Sequence, residues 1–106
     1  MAKKYKIVVF VPESYADAVR KAMGEAGAGK IGNYTYCSFS TKGIGRFKPG
    51  SKAHPTIGKI NNLESVKEEK IEVVADKQVV KDILTAIKRV HPYEEVAIDV
   101  YPLEDY

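Results

Sequence analysis

The sequence has a single cysteine, two histidines and no long apolar run. One cysteine cannot form an internal disulfide, and it excludes the four-ligand Cys and Cys/His frameworks of structural zinc sites. The 106 residues fit one domain, 1–106. A chain of this length buries about two-thirds of the surface that its unfolded form exposes, so it needs neither a disulfide nor a metal to fold.

The apolar run near the start, residues 7–11, is short and ends at Pro12. It falls far below the roughly 20 residues that span a bilayer, and it is too short for the apolar region of a signal peptide. We therefore expect a cytoplasmic protein without membrane contact.

Acidic residues are missing from one block of the chain. Residues 30–59 contain six Lys/Arg and no Asp/Glu, whereas residues 60–106 contain eleven acidic and six basic residues, within a whole-chain net charge of +3. Residues 42–62 also contain four Gly and two Pro, which predicts a long basic loop there. The chain is therefore polarised in charge along its length.

Apolar periodicity predicts four strands and two helices. We expect strands at 7–11, 34–41, 66–75 and 96–101, a first helix over 13–28, and a second helix between an N-cap at Asp76 and the break at Pro92. The order β-α-β-β-α-β is that of the ferredoxin-like α+β fold, in which two helices cover one face of a four-stranded antiparallel sheet.

The other face of this sheet is predicted to lack helices. Residues of apolar or aromatic character can share it: Val8, Phe10, Tyr34, Tyr36 and Tyr101. An apolar face of this size favours self-association, and the alternative is that loop 42–62 folds over it.

The segment 91–95 places an imidazole, a phenol and two carboxylates between a helix end and a strand start, where functional groups often lie. Three interpretations stay open. The segment can be a helix stop, His91 can form a general acid/base pair with Glu94 or Glu95, or a divalent metal can bind His54, His91 and Glu95. We expect His91, Tyr93, Glu94 and Glu95 to contact a ligand.

The basic loop places Arg46 and Lys48 on either side of Phe47, with His54 further along. Cations beside an aromatic ring are typical of sites for anionic ligands or nucleic acid. The acidic C-terminal part of the chain would repel a polyanion, so a small anionic ligand is favoured over nucleic acid, and a solvated loop is the alternative.

Two further features indicate structure rather than chemistry. Cys37 is expected to be a small buried residue within the second strand. The glycines at 27 and 29 follow a helix and do not match the phosphate-binding P-loop pattern, so they predict a helix C-cap.

Several strings of the sequence match a known family in order: GNY (32–34), CSFSTKG (37–43), GRFKP (45–49) and HPYEEVAIDVYPL (91–103). Over nearly the whole chain, they resemble the inserted domain of YqfO-type members of the Nif-three-like (NGG-interacting factor three) family. The HPYE string is also similar to the end of CutA-type proteins. The resemblance implies a PII/CutA-like version of the ferredoxin-like fold and a homo-oligomer, with a trimer favoured.

In larger members of that family a flanking domain carries a dinuclear metal site and a cyclohydrolase-like activity, and these residues do not match it. The resemblance therefore assigns no catalytic residue here. It implies a non-catalytic oligomeric module that binds a small ligand or a divalent metal ion at subunit clefts, lined by Arg46, Lys48, His54 and residues 91–95. The alternative is a module that docks onto a separately encoded protein with the metal domain.

Overall fold

The structure, a computed structural model, describes residues 2–106. The strands are β1 (Lys4–Pro12), β2 (Phe39–Phe47), β3 (Glu64–Asp76) and β4 (Ile98–Pro102), and the helices are α1 (Ala16–Glu25) and α2 (Val80–Val90). A short 3₁₀ turn precedes each helix. The predicted α+β class and the order of elements are confirmed. No helix among residues 2–106 is long and apolar enough to cross a bilayer.

The four strands form one sheet in the order β2-β3-β1-β4, and all neighbours are antiparallel. The central pair is β1 with β3, in which Val9 lies opposite Ile71. On the other side of β1, Val9 lies opposite Ile98. Side chains alternate between the two sheet faces, so this register places the three apolar residues together on one face.

The hydrophobic core lies between that face and the two helices. Apolar residues recur at helical spacing on α1 and α2 and at every second position on β1 and β3, so each element turns one apolar side inward. Full burial of one such side chain contributes about 1.5–3 kcal/mol. The largest fully buried side chains are Ile7, Val9, Val11, Val19, Met23, Ile71, Ile83 and Ile87.

The ends of the helices follow local chemistry, with one difference from expectation. Gly27 has φ +106°, and the Ala28 N–H donates to the Met23 carbonyl oxygen at 3.0 Å, which confirms the predicted glycine C-cap of α1. Asp76 makes no capping hydrogen bond. Its carboxylate instead accepts a bond from Nζ of Lys4 at 3.0 Å, because it ends a strand that pairs with β1.

The second strand lies further along the chain than predicted. Residues 34–38 do not form a strand, because Tyr34 pairs back with Ile31 and Tyr36 has φ 60°. The strand β2 begins at Phe39 and pairs along its whole length with the long strand β3, through residues that were predicted to be loop. The basic connection therefore begins at residue 48. Cys37 lies outside the strand and is half-buried.

The second face of the sheet is only partly apolar, so the prediction of a large apolar face is wrong. Residues 48–57 cover one end of it, where Phe10 lies. Farther along the same face, Val8 lies between Glu72 and Asp99 on its neighbouring strands. Tyr101 shares this face, opposite Lys6. Tyr34 and Tyr36, which were also predicted on this face, lie in the segment before β2.

Candidate functional site

A cavity of about 400 Å³ lies on the sheet face opposite the helices. Its floor is formed by β1, β2 and β3, and its cover is formed by the loop after β2 and the segment that leads into β4. The lining residues are mainly apolar, with a few charged groups: Phe10, Gly45, Arg46, Phe47, Lys48, Pro49, Gly50, Ala53, Pro55, Thr56, Ile57, Glu68, Tyr93, Glu94, Glu95 and Ala97.

The floor of the cavity carries a buried carboxylate. Glu68 lies on β3 and is 9% exposed, and its Oε2 accepts a hydrogen bond from the Tyr93 hydroxyl at 3.1 Å. On the adjacent strand, a Cβ at Gly45 would overlap the Glu68 carboxylate. Glycine at position 45 is therefore what allows the carboxylate to lie across β2.

The Tyr93 side chain also packs against two neighbouring rings. Its ring centroid lies 5.9 Å from that of Phe47 and 5.1 Å from that of His91, in tilted arrangements. Partial burial raises the pKa of the Tyr93 phenol above its ordinary value of 10.0, and the hydrogen bond and negative charge of Glu68 raise it further. The hydroxyl therefore stays protonated at neutral pH and serves as a donor.

Both ring nitrogens of His91 have partners within the chain. Nε2 lies 2.7 Å from the Phe10 carbonyl oxygen, and Nδ1 accepts from the Tyr93 N–H at 3.2 Å. A carbonyl only accepts and an N–H only donates, so the ring carries its proton on Nε2. The side chain is a structural link between the end of α2 and β1, and it does not bond to the terminal carbonyls of α2. Metal ligation or proton transfer by His91 requires the loss of one of these bonds.

The cover of the cavity is attached to the segment after α2 by two hydrogen bonds. The His54 N–H donates to Oε1 of Glu94 at 2.7 Å, and Oγ1 of Thr56 donates to the Pro92 carbonyl oxygen at 2.6 Å. The basic loop and the His/carboxylate segment therefore meet within one chain. No subunit interface of the kind implied by the resemblance is needed to bring these two segments together.

The predicted ligand-binding residues lie at or beside this cavity. Five of them border it: Arg46, Lys48, Tyr93, Glu94 and Glu95. His54 contributes a backbone bond to Glu94, and the His91 ring packs beside Tyr93. Whether any of the seven contacts a ligand stays a prediction.

Arg46 and Lys48 differ in how they can reach a ligand. Along β2, Ser40 faces α1, where it accepts a bond from Arg20, while Gly45 and Phe47 face the cavity side. By alternation the Arg46 side chain belongs to the helix-facing side. Lys48 follows the strand and is exposed at the rim.

Within residues 2–106, no group of three or more His, Cys, Asp or Glu side chains is placed to hold a metal ion. The predicted metal ligands His54, His91 and Glu95 do not form such a group in one chain. Sequence reasoning missed Glu68 and Gly45. The usable signal was Gly45 itself, because a glycine inside a strand often marks a close approach by another group.

No family model matches the chain. It is 50% identical over 99 residues, 93% of its length, to the "GTP cyclohydrolase 1 type 2 homolog" of Bacillus subtilis (strain 168), of which it covers 26%. The chain thus spans about a quarter of the length of the curated relatives it matches.

Three solved structures show the same fold. A Bacillus cereus protein related to NIF3 is 44% identical, with a TM-score of 0.85, over 98% of this chain and 26% of that one. CutA of Archaeoglobus fulgidus, described as a periplasmic divalent cation tolerance protein, is 16% identical with a TM-score of 0.70, over 97% and 86%. The B. subtilis GlnK–ATP complex is 17% identical with a TM-score of 0.65, over 97% and 84%. The chain therefore has the CutA/PII-like fold, and over nearly its whole length it is similar to one module of longer proteins related to NIF3.

Proposed function

We propose that this chain is a non-catalytic ligand-binding module, and that its ligand occupies the cavity beneath the loop of residues 48–57. The volume of about 400 Å³ lies within the roughly 300–1,000 Å³ of small-molecule sites. Such sites combine apolar walls with a few polar groups, and here Phe10 and Phe47 accompany Glu68 and Tyr93.

The observation that carries this proposal is the meeting of two distant segments around one cavity. The bonds from His54 and Thr56 hold the loop against residues 92–94, and the bond from Tyr93 holds the same segment against β3. A site assembled before the ligand arrives needs less ordering on binding, which favours affinity.

The proposed ligand is a small organic molecule, with any anionic group placed near Lys48 at the rim. A divalent metal is the second proposed ligand class, through His54, His91 and Glu95. Metal binding requires the His91 ring to give up its bond to Phe10 or to Tyr93. No residue of this module is assigned a catalytic role. Its proposed role in the cytoplasm is therefore regulatory, with ligand occupancy as the signal.

Ligand binding is tested by a thermal-shift screen with nucleotides, small metabolites and divalent metal salts, followed by amide chemical-shift mapping of each hit. The variant Ala53→Phe fills the cavity from its cover, and Ser51→Phe adds the same ring at an exposed position outside it. We expect hits to shift amides of residues 45–57 and 93–97, and Ala53→Phe alone to abolish them. Hits that bind both variants equally would contradict the proposal.

We also propose a homotrimer. Strand β2 is an edge strand of nine residues that carries the exposed side chains Phe39 and Ile44. An exposed edge of this length is a template for pairing with another chain. Light scattering is expected to give three times the chain mass, and Ile44→Lys is expected to reduce it. A monomer at all accessible concentrations would contradict this part.

The second candidate function is docking onto the remainder of a longer family protein. It is favoured by the length comparison, because this module accounts for about a quarter of its curated relatives. The test mixes this chain with the purified B. subtilis relative from which the matching module has been removed. Co-elution would support docking, and separate elution at micromolar concentrations would count against it.

A further inference from the structure

Glu68 has no cationic partner within the part of the chain that the structure describes. The ion pairs among residues 2–106 involve Asp17, Glu69 and Asp76. The bond from Tyr93 occupies Oε2 of Glu68, and none of the residues 2–106 donates a hydrogen bond to Oε1. Every fully buried side-chain oxygen in the described residues has a partner, so Oε1 is not fully buried, and Glu68 lines both this cavity and the neighbouring groove.

The adjacent residue gives a direct comparison. Glu69 faces the other side of β3, where Arg20 of α1 donates to its Oε1. Its side chain is 12% exposed, similar to the exposure of Glu68. Two neighbouring carboxylates are thus buried to a similar degree, and a guanidinium neutralises only the one that faces the helices.

Glu68 lacks a counter-charge from the described residues, so a cationic group in the cavity would replace part of the hydration that the carboxylate loses. Removal of an ionised group from water is costly unless hydrogen bonds and an opposite charge replace the lost hydration. Tyr93 supplies one hydrogen bond. The nearest basic residue on the same face of β3 is Lys70, which borders the neighbouring groove, is exposed and makes no ion pair with Glu68.

We propose that Glu68 selects ligands that carry an ammonium or amidinium group on an apolar body. The proposal rests on the ligand-binding function above and adds the chemical class of the ligand. The cationic nitrogen would donate to Oε1 of Glu68, and the apolar body would lie against Phe10, Phe47 and Pro55, which line the same cavity.

Lys48 and Glu68 are expected to contribute unequally to ligand selectivity, because they differ in exposure to solvent. Lys48 at the rim is exposed, and an ion pair there is screened by water and salt. Glu68 is 9% exposed, and charge-assisted hydrogen bonds at desolvated positions are about twice as strong as neutral ones. The interaction with Glu68 is therefore expected to dominate selectivity.

The test uses three probes of similar size: benzamidine (cationic), benzyl alcohol (neutral) and benzoate (anionic). Each is titrated into the ¹⁵N-labelled protein at pH 7, and the dissociation constant is measured from the amides of residues 45–57 and 93–97. We expect benzamidine to bind at least about tenfold more tightly than benzyl alcohol, as one charge-assisted hydrogen bond provides, and benzoate to bind most weakly.

Two variants separate charge from shape. Glu68→Gln keeps an acceptor for the Tyr93 hydroxyl but removes the negative charge, so we expect it to lose the preference for benzamidine and to keep its affinity for benzyl alcohol. Glu72→Gln changes a carboxylate on the same strand and face that lies outside the cavity. It is expected to bind all three probes like the unmodified chain.

The outcomes distinguish this inference from the function on which it rests. If benzyl alcohol binds in the cavity and benzamidine binds no better, the selection by Glu68 is overturned while the cavity remains a ligand site. If none of the probes shifts the cavity amides at their solubility limits, the cavity is overturned as a site for small organic ligands, and with it both this inference and the first proposed ligand class. Because the probe comparison uses the unmodified chain, it decides the question even if Glu68→Gln fails to fold.

Discussion

His91 completes the backbone hydrogen bonding of Phe10. The Phe10 N–H donates to the Ala97 carbonyl oxygen at 3.2 Å, just before β4 begins. The Phe10 carbonyl points toward the same side of β1 and has no strand residue opposite it there, and Nε2 of His91 donates to it at 2.7 Å. An imidazole from the end of α2 thus takes the place of the missing strand.

Substitution of His91 tests this structural role. The ring is 7% exposed and makes two hydrogen bonds, so His91→Ala leaves buried backbone groups without partners and is expected to lower the free energy of unfolding by about 2–3 kcal/mol. The exposed His54 takes part through its backbone, so His54→Ala should cost under about 0.5 kcal/mol. Urea unfolding measures both. Equal effects would show that the two bonds contribute nothing to stability.

Gly45 and Gly43 form a matched pair on one face of β2. A Cβ at Gly45 overlaps the Glu68 carboxylate, whereas a Cβ at Gly43 meets nothing within 4 Å. We expect Gly45→Ala to destabilise the protein by about 1–3 kcal/mol, as overpacking does. Gly43→Ala should be neutral within about 0.5 kcal/mol. Calorimetry of the two variants checks this. Neutral Gly45→Ala would mean that Glu68 has another position of equal energy.

Alkaline pH tests the Tyr93 contact. The folded-state pKa of Tyr93 is raised above 10.0, chiefly by partial burial and then by Glu68. The stability that the protonated Tyr93 contributes is fully present below pH 10. It is lost as the pH rises toward the folded-state pKa, because the unfolded chain releases its proton at a lower pH than the folded chain does. The free energy of unfolding should therefore fall more steeply above pH 10 in the unmodified chain than in Tyr93→Phe. Parallel profiles would contradict the contact.

Arg20 joins α1 to the sheet. It donates to Glu69 on β3 and to Ser40 on β2, and its pKa is raised by the bonds to Asp17 and Glu69. Arg20→Met is expected to cost about 1–2 kcal/mol, between the values for exposed and buried pairs. Asp17 is 98% exposed, so Asp17→Asn should cost under about 0.5 kcal/mol. A double-mutant cycle between Arg20 and Glu69 measures their coupling, and a value near zero would contradict the link.

The sequence predicted the elements that are defined by local periodicity. The β-branched run of β1 predicts a strand and the apolar spacing of α2 predicts a helix. In each element the buried residues recur at the period of the structure itself. The position of β2 was not predictable in this way. Residues 42–47 look like loop because of Gly43 and Gly45, and they form a strand only because β3 is long enough to pair with all of them.

The same distinction applies to the site. The segment 91–95 and the basic loop were identified from their unusual residue types. The structure brings them together around one cavity, and their joint action on a ligand stays a prediction. Glu68 was missed because a charged residue in a strand usually faces water. Its burial depends on the loop of residues 48–57 and on the space left by Gly45, and both are tertiary effects.

The two adjacent glutamates of β3 can be altered independently. Glu69 forms the ion pair that joins α1 to the sheet, and Glu68 lines the cavity, although the two residues are chemically identical and consecutive. Under the proposed selection by Glu68, a substitution at position 68 is expected to change ligand preference without loosening α1, and one at position 69 to change stability without touching the cavity. For protein engineering, the proposed selection makes position 68 the one at which a preference for neutral or acidic ligands would be introduced.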